Sequence, residues 1–281
     1  MRLLLQLSLS IAAMLMGPGV GASEPCAGFY ARLPNISRTL CADAKLQASA
    51  ASSVQGRPIF TRDVHPAGAG VRVLVVGAIH GDELSSASVA LHWIRLAQAA
   101  SPQTRWLFIP ALNPDGLLSR PARRVNANGV DLNRNFPTPD WHNETASYWE
   151  KRVHKDPRRW PGKSPLSEPE SKFLFAEMQR FQPHLVVSIH APYGVLDFDG
   201  PLVPPTRMGH LHLDQVGVFP GSLGNYGGVN QGIPVVTLEL PHALETPSDA
   251  EILRMWRDLQ RWMEDTIAPG LKPQGSKHAV R

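Results

Sequence analysis

Three apolar runs, each followed by an ionisable residue, constrain the fold of this chain most strongly. The run VRVLVVGAI, residues 71–79, is rich in β-branched residues, lacks strict alternation, and is followed by His80 and Glu83. A second run, HLVVSI, ends on His190, and a third, PVVTL, ends on Glu239. Continuous apolar runs are typical of strands covered on both faces, as in a parallel sheet packed between helices. Ionisable residues at the carboxyl ends of such strands lie where α/β sheets build their sites.

Strand and helix signals alternate from residue 58 onward without an internal repeat. Two amphipathic helical segments open with a capping-box pattern, Ser167 to Glu170 and Ser248 to Glu251. This order predicts one domain of the α/β class, an α/β/α sandwich with a mixed, mostly parallel central sheet. The predicted strands are residues 58–63, 71–79, 105–112, 184–190, 195–198, 215–219 and 234–240.

Two segments outside this alternation are predicted to be irregular. The segment LQASAASSVQGR, just before residue 58, is typical of a weak helix or a linker. Residues 113–166 are long and rich in loop-forming residues. A loop of that length within a compact domain indicates either function or disorder.

The first 23 residues have the pattern of a secretory signal peptide. Arg2 precedes an apolar stretch from Leu3 to Met16, which a Gly-Pro-Gly break and small residues follow. The stretch is shorter than the ~20 residues that a transmembrane helix needs. We therefore expect export to the periplasm or the exterior, with no stable membrane insertion after signal cleavage.

The cysteines and the chain ends suggest how the rest is divided. Cys26 and Cys41 are the two cysteines of the chain, and in an oxidising compartment they can close a loop that staples residues 24–57. The catalytic domain is predicted over residues 58–269, with a flexible tail over residues 270–281.

The charge balance argues against a nucleic-acid partner, because the formal net charge is only +4. A more basic run, KRVHKDPRR, occupies residues 151–159. Such a run is usually a solvated loop, and the alternative is a surface that faces an acidic substrate such as cell-wall peptide.

The ionisable strand ends predict a metal site if their strands are parallel neighbours. His80, Glu83 and His190 would then converge as a His₂Glu set, the donors of a catalytic zinc site with one open position. An H-x-x-E pair alone is a weak signal, and we assign no role to the second one in the chain, His242 and Glu245. The alternative for the first pair is a polar turn that starts a helix, with Glu83 near the positive end of the helix dipole.

The loop motifs NPDG and RRVNANGVDLNRNFP supply further groups that amide hydrolysis needs. Glu239 can serve as a general base. Arg124 and Arg134 can bind an oxyanion or a carboxylate bidentately. Asp131 can accept a hydrogen bond from the second ring nitrogen of His80. Composition alone would favour the alternative, an Asn/Gly-rich turn with surface arginines.

Taken together, HGDE, NPDG, GVDLNRNFP, the strand-end histidine and TLELP resemble the M14 family of zinc carboxypeptidases over residues 70–240. The residues DLNRNFP of the third motif and the predicted export signal resemble the murein peptide amidase branch of that family. The resemblance implies one zinc ion per chain and hydrolysis of a peptide bond next to a terminal carboxylate. For the branch, it implies the γ-D-glutamyl–diaminopimelate bond of murein peptides.

The resemblance also implies a role for each matching residue. The implied zinc ligands are His80, Glu83 and His190, the general base is Glu239, the oxyanion arginine is Arg124 or the adjacent Arg123, and the grip on the substrate carboxylate comes from Asn133 and Arg134.

Other aromatic and histidine residues have weaker signals. Tyr226 is the candidate for the substrate-contacting tyrosine of the family, although it stands only 13 residues before Glu239. Tyr193 is predicted to form a wall of the pocket. His210 and His212 could form a second metal site, but alternate histidines are commoner on a solvent-facing strand.

Two other functions compete with the peptidase. An N-acyl amino acid deacylase of the aspartoacylase type would share the zinc core, and a peptidoglycan-binding protein could keep the fold without activity. NPDG and TLELP favour the peptidase over the deacylase. The complete ligand set and Glu239 argue against a pure binding protein, which needs neither.

Overall fold

A computed structural model of the protein describes residues 25–271, except 66, 68, 69 and 101. The predicted signal peptide, residues 1–23, and most of the predicted tail lie outside the described residues. The helices are α1 (Pro25–Tyr30), α2 (Arg38–Asp43), α3 (Leu84–Ala99), α4 (Pro114–Leu118), α5 (Trp141–Ser147), α6 (Pro169–Phe181), α7 (Asp249–Thr266) and α8 (Ala268–Leu271). The strands are β1 (Gln47–Ser52), β2 (Pro58–Val64), β3 (Arg72–Val76), β4 (Arg105–Ile109), β5 (Leu185–His190), β6 (Val195–Asp199), β7 (Arg207–Met208), β8 (Leu211–His212) and β9 (Val235–Glu239).

Seven of these strands form one mixed sheet in the order β1-β2-β4-β3-β5-β9-β6. The four central strands, β4, β3, β5 and β9, are parallel to one another. The outer strands β2 and β6 are antiparallel to their inner neighbours, and β1 is antiparallel to β2. Strands β7 and β8 form a small separate hairpin. The prediction of a single domain with a mixed sheet and flanking helices is confirmed.

Strand β3 shows why the central runs are apolar without alternation. Val73 and Val75 pack on one face of the sheet in a cluster that also contains residues of α3 and α7. Leu74 and Val76 pack on the other face, against residues of α6. Each side chain fully buried in this way contributes ~1.5–3 kcal/mol relative to leaving it exposed. Both faces are covered, so every position of the strand is selected for apolar character.

The N-terminal segment joins the same core. Cys26 and Cys41 form the predicted disulfide, with their Cα atoms 5.6 Å apart. Phe29 and Leu33 are buried in the cluster that covers the α3 face of the sheet. In the chain-entropy model, closing a loop of this length stabilises the fold by ~3 kcal/mol.

Two sequence predictions of secondary structure are wrong. Residues 215–219 form no strand, because Gly217 has a φ of +102° and the segment passes over the sheet edge as a loop. Its Val216 N–H donates to the carboxylate of Asp197 instead of a neighbouring strand. The segment predicted as a weak helix or linker contains β1, whose alanine and serine residues are held extended by pairing with β2.

The two predicted capping boxes differ in outcome. Ser248 caps α7, with its hydroxyl accepting the N–H of Glu251. The box predicted at Ser167 is wrong, because α6 begins at Pro169 with Glu168 as its N-cap. The Ser167 hydroxyl donates to the carboxylate of Glu168.

Among the described residues, no helix combines the length and the apolar character that a membrane crossing requires.

Candidate metal centre and substrate cavity

The central parallel strands bring the predicted site residues to one edge of the sheet. His190 and Glu239 are the last residues of β5 and β9 and are partners in the register of these two strands. Strand β3 ends at Val76, and a turn then carries His80 and Glu83 over the same edge. The carboxyl ends of parallel neighbours meet there, so residues separated by more than a hundred positions become adjacent.

His80, Glu83 and His190 form a compact and buried group. The Nδ1 atoms of the two histidines lie 3.1 Å apart. The carboxylate of Glu83 lies 2.8 Å from His80 Nδ1 through one oxygen and 3.0 Å from His190 Nδ1 through the other. Each of the three residues is at most 4% exposed. In the part of the chain that the structure describes, this is the group of histidine and acidic residues that could hold a metal ion.

The donor chemistry of this group fits a zinc ion. Zinc takes imidazole nitrogen and carboxylate oxygen at ~2.0–2.2 Å, so tetrahedrally arranged donors lie roughly 3.3–3.6 Å apart. The observed separations of 2.8–3.1 Å are slightly shorter than this. Two histidine nitrogens that face each other at 3.1 Å need a cation or a proton between them. The group therefore has the donors and the convergence of a His₂Glu metal site.

Asp131 orients His80 from behind. Its carboxylate lies 3.1 Å from His80 Nε2, the nitrogen that points away from Glu83. The same carboxylate accepts hydrogen bonds from Nε and Nη2 of Arg124, at 3.2 and 3.0 Å. A proton on Nε2 leaves the lone pair of His80 on Nδ1, which faces the other two donors.

Charges within the group offset the cost of burying it. Burial raises the pKa of Glu83, but His80 and His190 outweigh it and hold that pKa well below its usual range. Burial and Arg124 lower the pKa of His80, whereas Glu83 and Asp131 raise it by more, so the net shift is upward. Without a metal, the acidic residues thus stay ionised and attract positive charge to the histidines.

Glu239 faces the same centre from the neighbouring strand. It is 8% exposed, and its Oε2 atom has no hydrogen-bond partner among the described residues. Burial raises the pKa of Glu239. A buried carboxylate with a free oxygen and a raised pKa can accept a proton near neutral pH.

Arg134 is the buried cation of the cavity. It is 4% exposed, and its guanidinium lies over the ring of Phe219 at 4.5 Å. Its Nη1 donates to the carbonyl of Asn133 at 2.7 Å, whereas its Nε has no partner among the described residues. Gly221, with φ +74°, lies against the Arg134 carbonyl so closely that any side chain there would collide with it. The backbone of Arg134 is therefore held in place while part of its side chain remains available to a ligand.

The structure places the two adjacent arginines differently. Arg124 is 15% exposed, lines the cavity, and lies 3.6 Å from Glu83. Arg123 is exposed and does not line the cavity. Burial lowers the pKa of Arg124, but Asp131 and Glu83 raise it by more. The net shift of this pKa is upward, so Arg124 stays protonated.

The remaining histidine and acidic candidates stay outside the metal centre. His242 and Glu245 are exposed, and the carbonyl of His242 accepts a hydrogen bond from Ser85 at the start of α3. His210 and His212 are exposed residues of the small hairpin, and His210 pairs with Glu251.

The expected substrate role of Tyr226 is corrected by the structure. Tyr226 is 3% exposed, stacks on Phe136, and accepts a hydrogen bond on its hydroxyl from Gln179. It belongs to the core beneath the sheet edge rather than to the cavity lining. The tyrosine that lines the cavity is Tyr193, as predicted, and it is 59% exposed.

Three further charged residues line the cavity, and two of them, Asp197 and Asp199, belong to no motif of the sequence analysis. Asp197 and Asp199, alternate residues of β6, point into it, and neither carboxylate is ion-paired with a lysine or arginine among the described residues. Burial and the neighbouring Asp197 raise the pKa of Asp199 to about 7. Arg159, the last residue of the basic run, lines the cavity from the opposite loop. The two-residue spacing of the aspartates was the available signal, although the predicted strand 195–198 ended one residue before Asp199, because that spacing places both on one face of a strand.

Comparisons with known proteins agree with this geometry. A family model described as zinc carboxypeptidase matches residues 44–197. Murein peptide amidase A of Escherichia coli is 32% identical over 213 residues, which cover 70% of this chain and 82% of that protein. The murein peptide amidase A of Vibrio campbellii is 31% identical over 177 residues, or 60% of this chain and 69% of that one.

Solved structures give the same result. The murein-tripeptide amidase MpaA from Escherichia coli O157 matches with a TM-score of 0.57 and 26% identity, over 77% of this chain and 90% of that one. The carboxypeptidase A of Helicoverpa armigera matches with a TM-score of 0.63 over 83% of this chain and 72% of that one, and at 18% identity it is similar in fold.

Proposed function

The chain belongs to the zinc carboxypeptidase family and is a hydrolytic peptidase, and from this premise we propose that it cleaves murein peptides. The bond proposed is the amide between γ-D-glutamate and diaminopimelate, next to a free carboxylate on the leaving residue. Relatives named murein peptide amidase A, at about a third identity, support this substrate class.

The observation that carries the proposal is a pair of buried groups of opposite charge in one cavity, each with one polar atom left without a partner. Arg134 Nε and Glu239 Oε2 each lack a hydrogen-bond partner among the described residues. Both residues line the cavity that opens onto the His₂Glu group. Buried polar atoms are nearly always satisfied, so these two indicate a ligand that brings an anion to the arginine and a proton to the carboxylate. Asp197 and Asp199 would suit the extra ammonium group of diaminopimelate in the same cavity.

The family is zinc-dependent, and His80, Glu83 and His190 are the residues that would hold the ion. Zinc bound there would supply Lewis acidity that polarises the scissile carbonyl and makes water more acidic. Side chains of the protein would bind the substrate, transfer the proton and stabilise the developing charge. Arg134 would grip the free carboxylate of the leaving residue and so fix the amide within the site.

Proton transfer and charge stabilisation would fall to Glu239 and Arg124. Glu239 would take a proton from water as the water oxygen bonds to the carbonyl carbon. It would pass that proton to the amide nitrogen as the C–N bond breaks and the amine leaves. Arg124, held by Asp131, would donate N–H groups to the carbonyl oxygen as negative charge develops on it.

We further propose that the protein is exported. The support is the N-terminal pattern of one basic residue, an apolar stretch and small residues, together with a disulfide between Cys26 and Cys41. Disulfides persist in oxidising compartments, among them the bacterial periplasm.

The test is incubation of the purified protein with the tripeptide L-alanyl-γ-D-glutamyl-diaminopimelate and, separately, with N-acetyl amino acids, followed by mass spectrometry. We expect free diaminopimelate and the dipeptide L-alanyl-D-glutamate, and no release of acetate. Glu239→Gln should release neither product. Acetate release with an intact tripeptide would identify a deacylase, and no turnover of either substrate would reject the proposed reaction.

A further inference from the structure

A second cavity borders the first and would receive the other half of the substrate. Glu83, Arg124, Arg159 and Tyr193 line both cavities, so the two meet at the metal centre. If the leaving residue occupies the first cavity with its carboxylate on Arg134, the acyl half of the peptide must extend into the second. This step rests on the proposed function.

The residues that line the second cavity carry more positive than negative charge. Arg124, Arg158 and Arg159 contribute three guanidinium groups, against the carboxylates of Asp82 and Glu83. Asp82 already accepts a hydrogen bond from Arg158 at 2.8 Å, and Glu83 faces the histidines. Neither carboxylate of the wall is therefore available to Arg159.

Arg159 retains unused donors. Its closest acidic partner is Asp156, 3.7 Å from Nε, which is beyond hydrogen-bond distance. Its side chain is 31% exposed, and no hydrogen bond from its guanidinium is formed to a described residue. A guanidinium has five N–H donors in a planar fork that matches a carboxylate.

The chain on both sides of Arg159 is anchored to the site. The preceding residue, Arg158, is bound to Asp82, which is adjacent to Glu83. The carbonyl of the following residue, Trp160, accepts the N–H of Asp131 at 2.7 Å. Asp131 also orients His80. The backbone at Arg159 is therefore fixed relative to the metal centre, unlike that of an unattached surface loop.

We propose that Arg159 binds a carboxylate on the acyl half of the substrate and so selects peptides whose acyl residue carries a free carboxylate. In a γ-glutamyl amide, the α-carboxylate lies three carbons from the scissile carbonyl, within reach of a group that borders both cavities. An acyl residue with a neutral side chain, such as alanine, has no carboxylate at that place. The guanidinium thereby distinguishes acidic from neutral acyl residues through one charge-assisted hydrogen-bonded pair.

The test compares two substrates that differ in that charge alone. One is L-alanyl-γ-D-glutamyl-diaminopimelate, and the other is the same peptide with the glutamyl α-carboxylate converted to a carboxamide. We expect the wild type to favour the acid by about 10- to 100-fold in kcat/KM, chiefly through KM, as a charged hydrogen bond provides. Arg159→Ala should reduce this preference to less than about threefold, with kcat for the carboxamide little changed.

Arg152→Ala is the matched control, because Arg152 is an exposed arginine of the same basic run that lines neither cavity. It should keep the wild-type preference. A preference that survives Arg159→Ala, or a wild type that cleaves both peptides equally well, would overturn the role of Arg159 while leaving the proposed reaction intact.

Binding to the Glu239→Gln variant, measured by calorimetry, separates this inference from the proposed reaction. Tighter binding of the acid than of the carboxamide, lost when Arg159→Ala is added, supports the inference even if neither peptide is cleaved. Equal binding of both peptides rejects it.

Discussion

Asp131 gives the sharpest test of the metal centre, because one carboxylate serves both His80 and Arg124. The residue is fully buried, its Oδ1 lies 3.1 Å from His80 Nε2, and its Oδ2 accepts from Arg124 Nη2 at 3.0 Å. His80 and Arg124 hold the pKa of Asp131 well below its usual range despite burial. Asp131→Asn keeps the shape of the side chain and removes the charge.

Two losses follow from this substitution. Removing the partner that orients a metal-binding histidine typically weakens metal affinity by ~10–100-fold, and we expect that loss for zinc. Breaking a buried ion pair costs ~3–5 kcal/mol, because the remaining charge is left uncompensated. Glu83 lies 3.6 Å from Arg124 and can compensate part of that charge, so we expect the lower end of this range. A domain with a stability of ~5–15 kcal/mol should remain folded.

Zinc affinity by competition with a chromophoric chelator, together with chemical unfolding of the metal-free protein, measures both losses. Asp63→Asn is the matched control, because Asp63 of β2 pairs with Arg105 of β4 at 2.6 Å in a partly exposed pair. It should leave zinc affinity unchanged and cost at most ~1 kcal/mol. A folded Asp131→Asn variant with wild-type zinc affinity would refute the role assigned to the Nε2 contact.

Three further substitutions test separate parts of the site. Glu239→Gln should lower kcat on the tripeptide by at least ~10²–10⁴-fold with zinc content unchanged, and activity within tenfold of the wild type would exclude Glu239 as the base. Arg134→Ala should lower kcat/KM by about 10- to 100-fold for a peptide that ends in a free carboxylate, but far less for the same peptide amidated at that end, and equal losses would mean that Arg134 only supports the fold. Asp199→Asn tests the carboxylate whose pKa is raised to about 7 from an ordinary 3.8. The native state binds this proton more tightly than the unfolded state, so the aspartate makes the protein lose stability as pH rises from about 4 to about 7. The free energy of unfolding of Asp199→Asn relative to the wild type should therefore increase across that window and level off above it, and a flat difference would contradict the raised pKa.

The sequence by itself determined the central strands of the sheet and the identity of the group that could hold a metal ion. Residues 71–76, 185–190 and 235–239 are apolar because both faces of a central strand are covered, and that requirement is visible locally. His190 and Glu239 end their runs because polar groups are excluded until the strand reaches the sheet edge. The parallel arrangement then leaves these residues no place but the shared carboxyl edge.

Only the tertiary structure decided which polar side chains face the cavity. Arg123 and Arg124 are adjacent in one loop, but only Arg124 lines the cavity. Its guanidinium is held there by hydrogen bonds to the carboxylate of Asp131. Tyr226 was the sequence candidate for the substrate-contacting tyrosine, yet Phe136 and Gln179 fix it within the core.

The same holds for Asp197 and Asp199, which no sequence pattern singled out, and for Arg159, which stood within a basic run. Asp197 and Asp199 reach the cavity because β6 runs antiparallel beside β9, and Arg159 reaches it because Asp131 and Asp82 anchor the segment around it. A local pattern reports burial and backbone preference, which neighbouring residues determine. The direction of a polar side chain depends on partners that lie tens to a hundred residues away, and only the folded chain brings those partners together.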